Sequence, residues 1–377
     1  MPTELHGIKA ADIHAKVKLL IDGMVNIKDK TGEFLMPLAD GRIIDTKGWN
    51  DWEWTHGIGL NGIWAYYNIT GDDKYLQIIE DWFRNRFEAG GTTKNINTMA
   101  VFLTLAYVYE KTGNKTYLPW LDSWAEWAYH DLERTKYGGM QHVTYLSDHH
   151  QQLWDDTLMM TVMPLAKIGL VLNRPHYVAE AKRQFLLHIK YLLDHRSGLF
   201  YHGWVFSNER GGEGHNFADA RWARGNSWLT IALPDFLELI DFPRDDPVAS
   251  HLLDTLKAQV EALQPLQNQE SGLWQTLLDH PIESGSYPEA SATAGFAYGI
   301  LKSQRKKYIG KEYQDVALKA IRGVLDNIDE NGELLNTSFG TGMGMDLQHY
   351  KDIPITSMPY GQAMAIMALT EYLRVYY

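Results

Sequence analysis

Two kinds of helix-forming segment alternate along this chain from end to end. Six are amphipathic, with apolar residues recurring at three- and four-residue steps opposite a charged face: 12–24, 75–88, 117–131, 177–193, 248–263 and 311–328. Six others are apolar on nearly all sides and rich in small residues: 57–70, 97–112, 156–172, 225–240, 290–304 and 360–373. A helix apolar all round has to be surrounded by protein. Short turn signals such as Thr70-Gly71-Asp72-Asp73 and Thr112-Gly113-Asn114-Lys115 join enclosed helices to exposed ones. Longer Gly-rich stretches, some carrying the related phrases Ser197-Gly198-Leu199-Phe200 and Ser271-Gly272-Leu273-Trp274, lead back again. The spacing is too irregular for a solenoid of identical units. It predicts an all-α (α/α)6 toroid: six helical hairpins closed into a ring, one domain over residues 1–377, with an open helical scaffold as the rival architecture.

In such a ring all six inner helices run the same way, so their N-termini converge on one mouth. Backbone N–H donors and positive dipole ends gather there, a favourable place for an anionic group. Composition narrows the chemistry further. The chain has no cysteine, which excludes disulfides, thiolate metal sites and a cysteine nucleophile. Its net charge of −12 makes it a poor binder of nucleic acid. No apolar run is long enough to span a membrane. The start, MPTELHGIKAADIHAKV, has no basic segment followed by an apolar core, so a cytoplasmic location is expected. Thirteen Trp and 21 Tyr suit sugar stacking as well as the filling of a large core.

The residues just before each enclosed segment are the candidates for a site. They include Trp52-Glu53-Trp54-Thr55-His56, Asn95-Ile96-Asn97, Gly138-Gly139-Met140-Gln141-His142, Trp154-Asp155-Asp156, Tyr201-His202-Gly203-Trp204 and Trp222-Ala223-Arg224-Gly225-Asn226-Ser227-Trp228. This mixture of aromatic faces and fixed polar groups is what a sugar site needs. Neighbouring residues in a helix point apart, so Asp155 and Asp156 are not expected to cooperate; both could simply cap the helix. Ahead of an apolar helix, a desolvated Asp156 would have a raised pKa and keep a proton for general-acid work. His149-His150 lies in a polar loop and reads as solvated. Arg224, between Trp222 and Trp228, reads as a stacked surface arginine or as a carboxylate or hydroxyl clamp.

Trp154-Asp155-Asp156-Thr157-Leu158-Met159-Met160, Tyr201-His202-Gly203-Trp204 and Trp222–Trp228 together resemble the unsaturated rhamnogalacturonyl hydrolases of glycoside hydrolase family 105. The resemblance runs over most of the chain and is strongest from 138 to 232. It implies an (α/α)6 toroid, with Asp156 as general acid and base. It also implies substrate contacts from Trp54, Asn97, His142, His202, Trp222, Arg224, Gly225 and Trp228, with Asn97 acting only as a hydrogen-bonder. No metal and no cofactor are implied. The implied partner is a small unsaturated oligosaccharide whose 4,5-unsaturated uronic acid is removed by hydration. Loops 205–221 and 335–358 are expected to select the second sugar.

Three other readings stand beside it. An inverting glycosidase on the same toroid would pair Asp156 with Glu53, Asp219 or Glu289 as base. A sugar epimerase would shuttle protons through His202 and a second histidine. A non-catalytic carbohydrate binder would turn nothing over.

Overall fold

The computed structural model describes residues 4–208 and 212–377; residues 209–211 of the 205–221 loop lie outside it. Every helical segment expected from the periodicity is present. The half-exposed helices are α1 (Ala10–Val25), α3 (Asp73–Glu88), α5 (Leu118–Glu126), α7 (Pro175–Leu192), α9 (Pro247–Leu263) and α11 (Gln314–Asp326). The enclosed ones are α2 (Trp54–Thr70), α4 (Val101–Thr112), α6 (Met163–Val171), α8 (Ala223–Ile240), α10 (Ala290–Arg305) and α13 (Pro359–Tyr376). A short α12 (Leu347–Lys351) inside the 335–358 loop is an element the periodicity does not announce.

The enclosed helices pack in order, α2 on α4, α4 on α6, α6 on α8, α8 on α10 and α10 on α13, and α13 returns to α2. That last contact closes the ring and excludes the open scaffold. Each outer helix backs one inner helix, and α1 covers α13, so the two ends of the chain complete one hairpin. The Tyr372 hydroxyl donates to the Leu5 carbonyl across this seam, 3.0 Å away, and the Tyr377 hydroxyl to the Ile8 carbonyl at 2.7 Å. Small residues on the inner helices permit the close approach the ring requires. At Gly299 of α10 a Cβ would run into the Thr230 carbonyl of α8.

Two departures from regular helix matter at the mouth. Helix α4 is entered through a tight turn at Thr98–Ala100, and α6 through a wide π-type turn at Leu158–Val162 directly after Asp156. Such π turns recur at functional sites because they re-aim neighbouring side chains. The long connections carry only short β-pairs. In one, strand Gln152–Trp154 pairs antiparallel with Gly203–Val205, setting Trp154 opposite Gly203. The Asp155 N–H donates to the His202 carbonyl at 3.0 Å, which brings the Trp-Asp-Asp and His-Gly-Trp motifs together.

Candidate active site

The mouth holds a cavity of about 540 Å³, the size of a small oligosaccharide site. Its wall is built from the starts of inner helices and from the loops above them. Glu53 and Trp54 come from the head of α2, Asn97 from the approach to α4, Trp154 from the strand before α6, and Met358 from the start of α13. Phe34, Leu35 and Met36 of an N-terminal hairpin and Phe339–Gly342 of the long last loop complete it. Trp54 stacks on Tyr360, with ring centres 4.4 Å apart, and meets the edge of Trp228 at 5.9 Å, so its ring is held at a fixed tilt. Of the residues implied by the resemblance, Trp54 and Asn97 line this cavity directly.

Asp156 follows Trp154 by two residues and keeps 15% of its side chain accessible. Its Oδ2 lies 3.3 Å from His202 Nε2. The other ring nitrogen of His202, Nδ1, is 2.8 Å from the Tyr350 hydroxyl, which fixes the imidazole edge toward the carboxyl. His142 stacks on Trp154 at 4.1 Å, nearly parallel, and its Nδ1 is 2.8 Å from the Thr157 hydroxyl. Burial pushes this imidazole down to about 3. The structure therefore gathers Asp156, His142 and His202 around Trp154.

The state of the two aspartates reverses the expectation. Burial alone pushes Asp156 upward, but hydrogen bonding and charge from His202, then His142 and Asp155, outweigh it and hold Asp156 below the ordinary carboxylate range. The raised carboxyl is Asp155, through burial first and then the charge and hydrogen bond of Asp156. The two do cooperate, because Asp155 sits in the turn after the strand rather than inside the helix.

The Trp222–Trp228 segment forms a buried wall behind this cluster, where open substrate contacts were expected. Trp222, Arg224 and Trp228 are sealed from solvent. The Arg224 guanidinium donates to the Ser338 carbonyl and hydroxyl, at 2.8 and 2.5 Å, and to the Phe339 carbonyl at 2.8 Å. It lies 4.5 Å over the Trp222 ring and pins the cavity's last loop. Both terminal nitrogens are committed to this loop and Nε is buried without a partner, so no donor of Arg224 is open to the cavity. Gly225 leaves room for a neighbour: a Cβ there would collide with the Asp155 carboxyl.

Among the rival bases, Asp219 is exposed, on the loop before α8. Glu289 is fully buried and accepts from Ser291, Ala292 and Ser338. Glu53 alone lines the cavity. It is 3% exposed and caps α2 through the Trp54 N–H at 2.6 Å. Burial pushes it up to about 8, against the opposing hydrogen bonds of Trp54 and Asn97. His149 also lines the cavity and packs on Trp154 at 4.5 Å, contrary to its reading as solvated. The apolar hairpin residues 34–36 and Tyr350 belong to no motif in the sequence.

Asp155, Asp156 and His202 bring polar atoms within 4.8 Å of one another, the one such grouping among the described residues. With Asp155 sealed and His202 Nε2 facing Asp156 directly, the arrangement fits proton sharing better than a cation.

The model of glycosyl hydrolase family 88 matches residues 26–376. The chain belongs to that family. It is 30% identical over 326 residues to the unsaturated rhamnogalacturonyl hydrolase YesR of Bacillus subtilis, covering 86% of this chain and 90% of YesR. A possible family 105 member from Salmonella enterica serovar Paratyphi A superposes with a TM-score of 0.96 at 59% identity, covering 100% of this chain and 97% of that one. The unsaturated glucuronyl hydrolase of Bacillus sp. GL1 shares the fold, with a TM-score of 0.70 at 17% identity over 97% of each chain. The family 105 resemblance of the motifs agrees with these relatives, and the enzyme is a glycoside hydrolase. Among the described residues no helix is long and apolar enough to cross a membrane.

Proposed function

We propose that this hydrolase removes a 4,5-unsaturated uronic acid from the non-reducing end of short rhamnogalacturonan fragments, with Asp156 as its acid and base. One observation carries the reading. A single partly accessible aspartate, oriented by His202, stands beside Trp154 at an aromatic cavity whose other carboxyls are Glu53, buried in the cap of α2, and Glu33, exposed at the rim beside the N-terminal hairpin. Ordinary glycosidases need two such carboxylates at a set separation. Hydration of an enol ether needs one.

In the proposed reaction the C4=C5 electrons take a proton onto C4 from the Asp156 carboxyl. The positive charge left at C5 is shared by the ring oxygen. Water adds at C5 and returns its proton to Asp156. The resulting hemiketal opens by breaking the bond between C5 and the ring oxygen. The hemiacetal left at C1 then collapses and releases the second sugar with a proton. The net change is the addition of one water, and the anomeric carbon is never attacked. Trp54 and Trp154 offer faces to the sugars, Asn97 a hydrogen bond, and residues 339–342 a boundary for the second sugar, with rhamnose as the proposed one.

The test is a lyase-generated unsaturated rhamnogalacturonan disaccharide, followed by loss of the ultraviolet absorbance of its double bond. Turnover by the native enzyme and none by Asp156→Asn is the expected result. Full activity in Asp156→Asn, or cleavage confined to saturated substrates, overturns it.

A further inference from the structure

Asp156 has to give up a proton, yet its surroundings favour the ionised form. The structure offers a source one residue away. Asp155 is completely buried, and no N–H or O–H reaches either of its carboxyl oxygens with hydrogen-bonding geometry. A buried carboxylate left in that state would be heavily penalised, whereas a neutral acid would not. The groups that act on it electrostatically are the Asp156 carboxyl and backbone amide, and the Arg224 guanidinium. Its place is built: Gly225, in the first turn of α8, is the one residue type that leaves space for the carboxyl there.

We propose that Asp155 is a positioning residue that shares a single proton with Asp156, so that the acid of the reaction is the pair and not one aspartate. This rests on the assignment of Asp156 above and extends it. In the resting enzyme the proton lies on Asp155 and is hydrogen-bonded to Asp156, while His202 faces the buried Oδ2 of Asp156. For C4 to be protonated, the single proton first crosses from Asp155 to Asp156 and passes from there to C4, leaving both carboxylates ionised opposite the positive C5. Water addition at C5 returns one proton to the pair. Two adjoining carboxyls with one proton between them resist losing it, because the product would be two charges in contact. The titratable and charged groups facing the pair are His202 and Tyr350 on one side, His142 on another, and Arg224 behind.

The experiment is the pH profile of kcat on the unsaturated disaccharide for the native enzyme, Asp155→Asn and Asp156→Asn. Asparagine keeps the shape of Asp155 and a hydrogen bond to Asp156 but carries no transferable proton. For Asp155→Asn the expected result is a kcat lower by about a hundredfold at neutral pH. Its alkaline limb should move down by about one pH unit or more, with KM little changed. Infrared spectroscopy supplies a readout independent of turnover. In a Glu53→Gln background, which removes the other neutral carboxyl, the native pair should show a neutral-acid band at pH 7 that Asp155→Asn abolishes.

An Asp155→Asn enzyme that keeps the native alkaline limb overturns the proposal. So does a limb that moves only in His202→Asn, since the proton would then reside on the imidazole. Loss of activity on chelation, restored by a divalent cation, also overturns it. Full activity in Asp156→Asn defeats the functional reading itself, an outcome distinct from all of these.

Discussion

The two ends of the inner ring treat their carboxyls in opposite ways. At the end where the inner helices finish, a second cavity of about 350 Å³ is lined by Asn61, Trp64, Tyr107, Asp235, Tyr298 and Lys302, among others. Lys302 Nζ lies 2.6 Å from both Asp235 and Glu238, Lys306 is 3.1 Å from Glu238, and Arg305 is 2.5 Å from Glu371. Each acid there has a cation, and the cations also suit the negative ends of the helices. At the mouth, by contrast, neither Asp155 nor Glu53 has an ion-pair partner among the described residues, and Asp156 faces the His202 imidazole and Asp155; Glu289 at the head of α10 is the exception, with Arg224 3.8 Å away. One end spends its charges on holding the ring together. The other leaves carboxyls with displaced pKa values, which is where acid–base chemistry is found.

The sharpest way to break this comparison is to substitute one group at each end. Asp156→Asn should lower kcat by about a thousandfold or more while leaving the unfolding midpoint close to native. Turnover of the unsaturated disaccharide and a thermal melt, measured together, check it. Lys302→Met should do the reverse. It strands Asp235 in a largely buried site, while Glu238 keeps Lys306, and should cost about 3 kcal/mol of stability. Denaturant titration reads the loss, and kcat per folded molecule should stay native. If Lys302→Met slowed turnover as Asp156→Asn does, the two ends would not be separate in function.

Gly225→Ala tests whether the unpaired state of the mouth is built or incidental. Alanine favours a helix over glycine by about 1 kcal/mol, so an unconstrained position would gain stability. Here the added methyl displaces the Asp155 carboxyl. The expected outcome is a kcat reduced by about tenfold, with an altered pH profile, and no gain in melting temperature. A more stable and fully active variant would show that the space beside Asp155 serves no purpose.

The ring was legible in the sequence because its signal is local. An all-round apolar helix such as 360–373 and an amphipathic one such as 75–88 differ in pattern within a few turns, and their alternation dictates closure. The chemistry of the mouth was less legible because it depends on distant partners. His202 is fixed by Tyr350, 148 residues further on, and nothing in the spacing of either announces the other. Asp155 and Asp156 were expected to point apart because helical neighbours do. A strand ending at Trp154 places Asp155 in a turn, where that rule lapses. The Trp222–Trp228 motif was conspicuous, but its residue types do not reveal that Arg224 spends its terminal nitrogens on Ser338 and Phe339.

Glu53 gives the finest test of the comparison, because its effect is on stability and has a definite sign. Its carboxyl is raised to about 8 in the folded protein, by burial, from an ordinary value of 4.5. Between those two values the unfolded chain has released this proton and the folded chain still holds it. Unfolding then releases a proton, so the contribution of Glu53 to stability falls as pH rises from about 4.5 toward 8. Glu53→Gln is always neutral and lacks that slope. The variant should therefore gain on the native enzyme by about 3–4 kcal/mol between pH 5 and pH 8. The acids of the far end, already paired with cations, should show no such gain in the same window when neutralised. Denaturant melts of Glu53→Gln and Glu238→Gln at the two pH values make the comparison. Parallel behaviour of the two variants would mean that the mouth holds its carboxyls no differently from the far end.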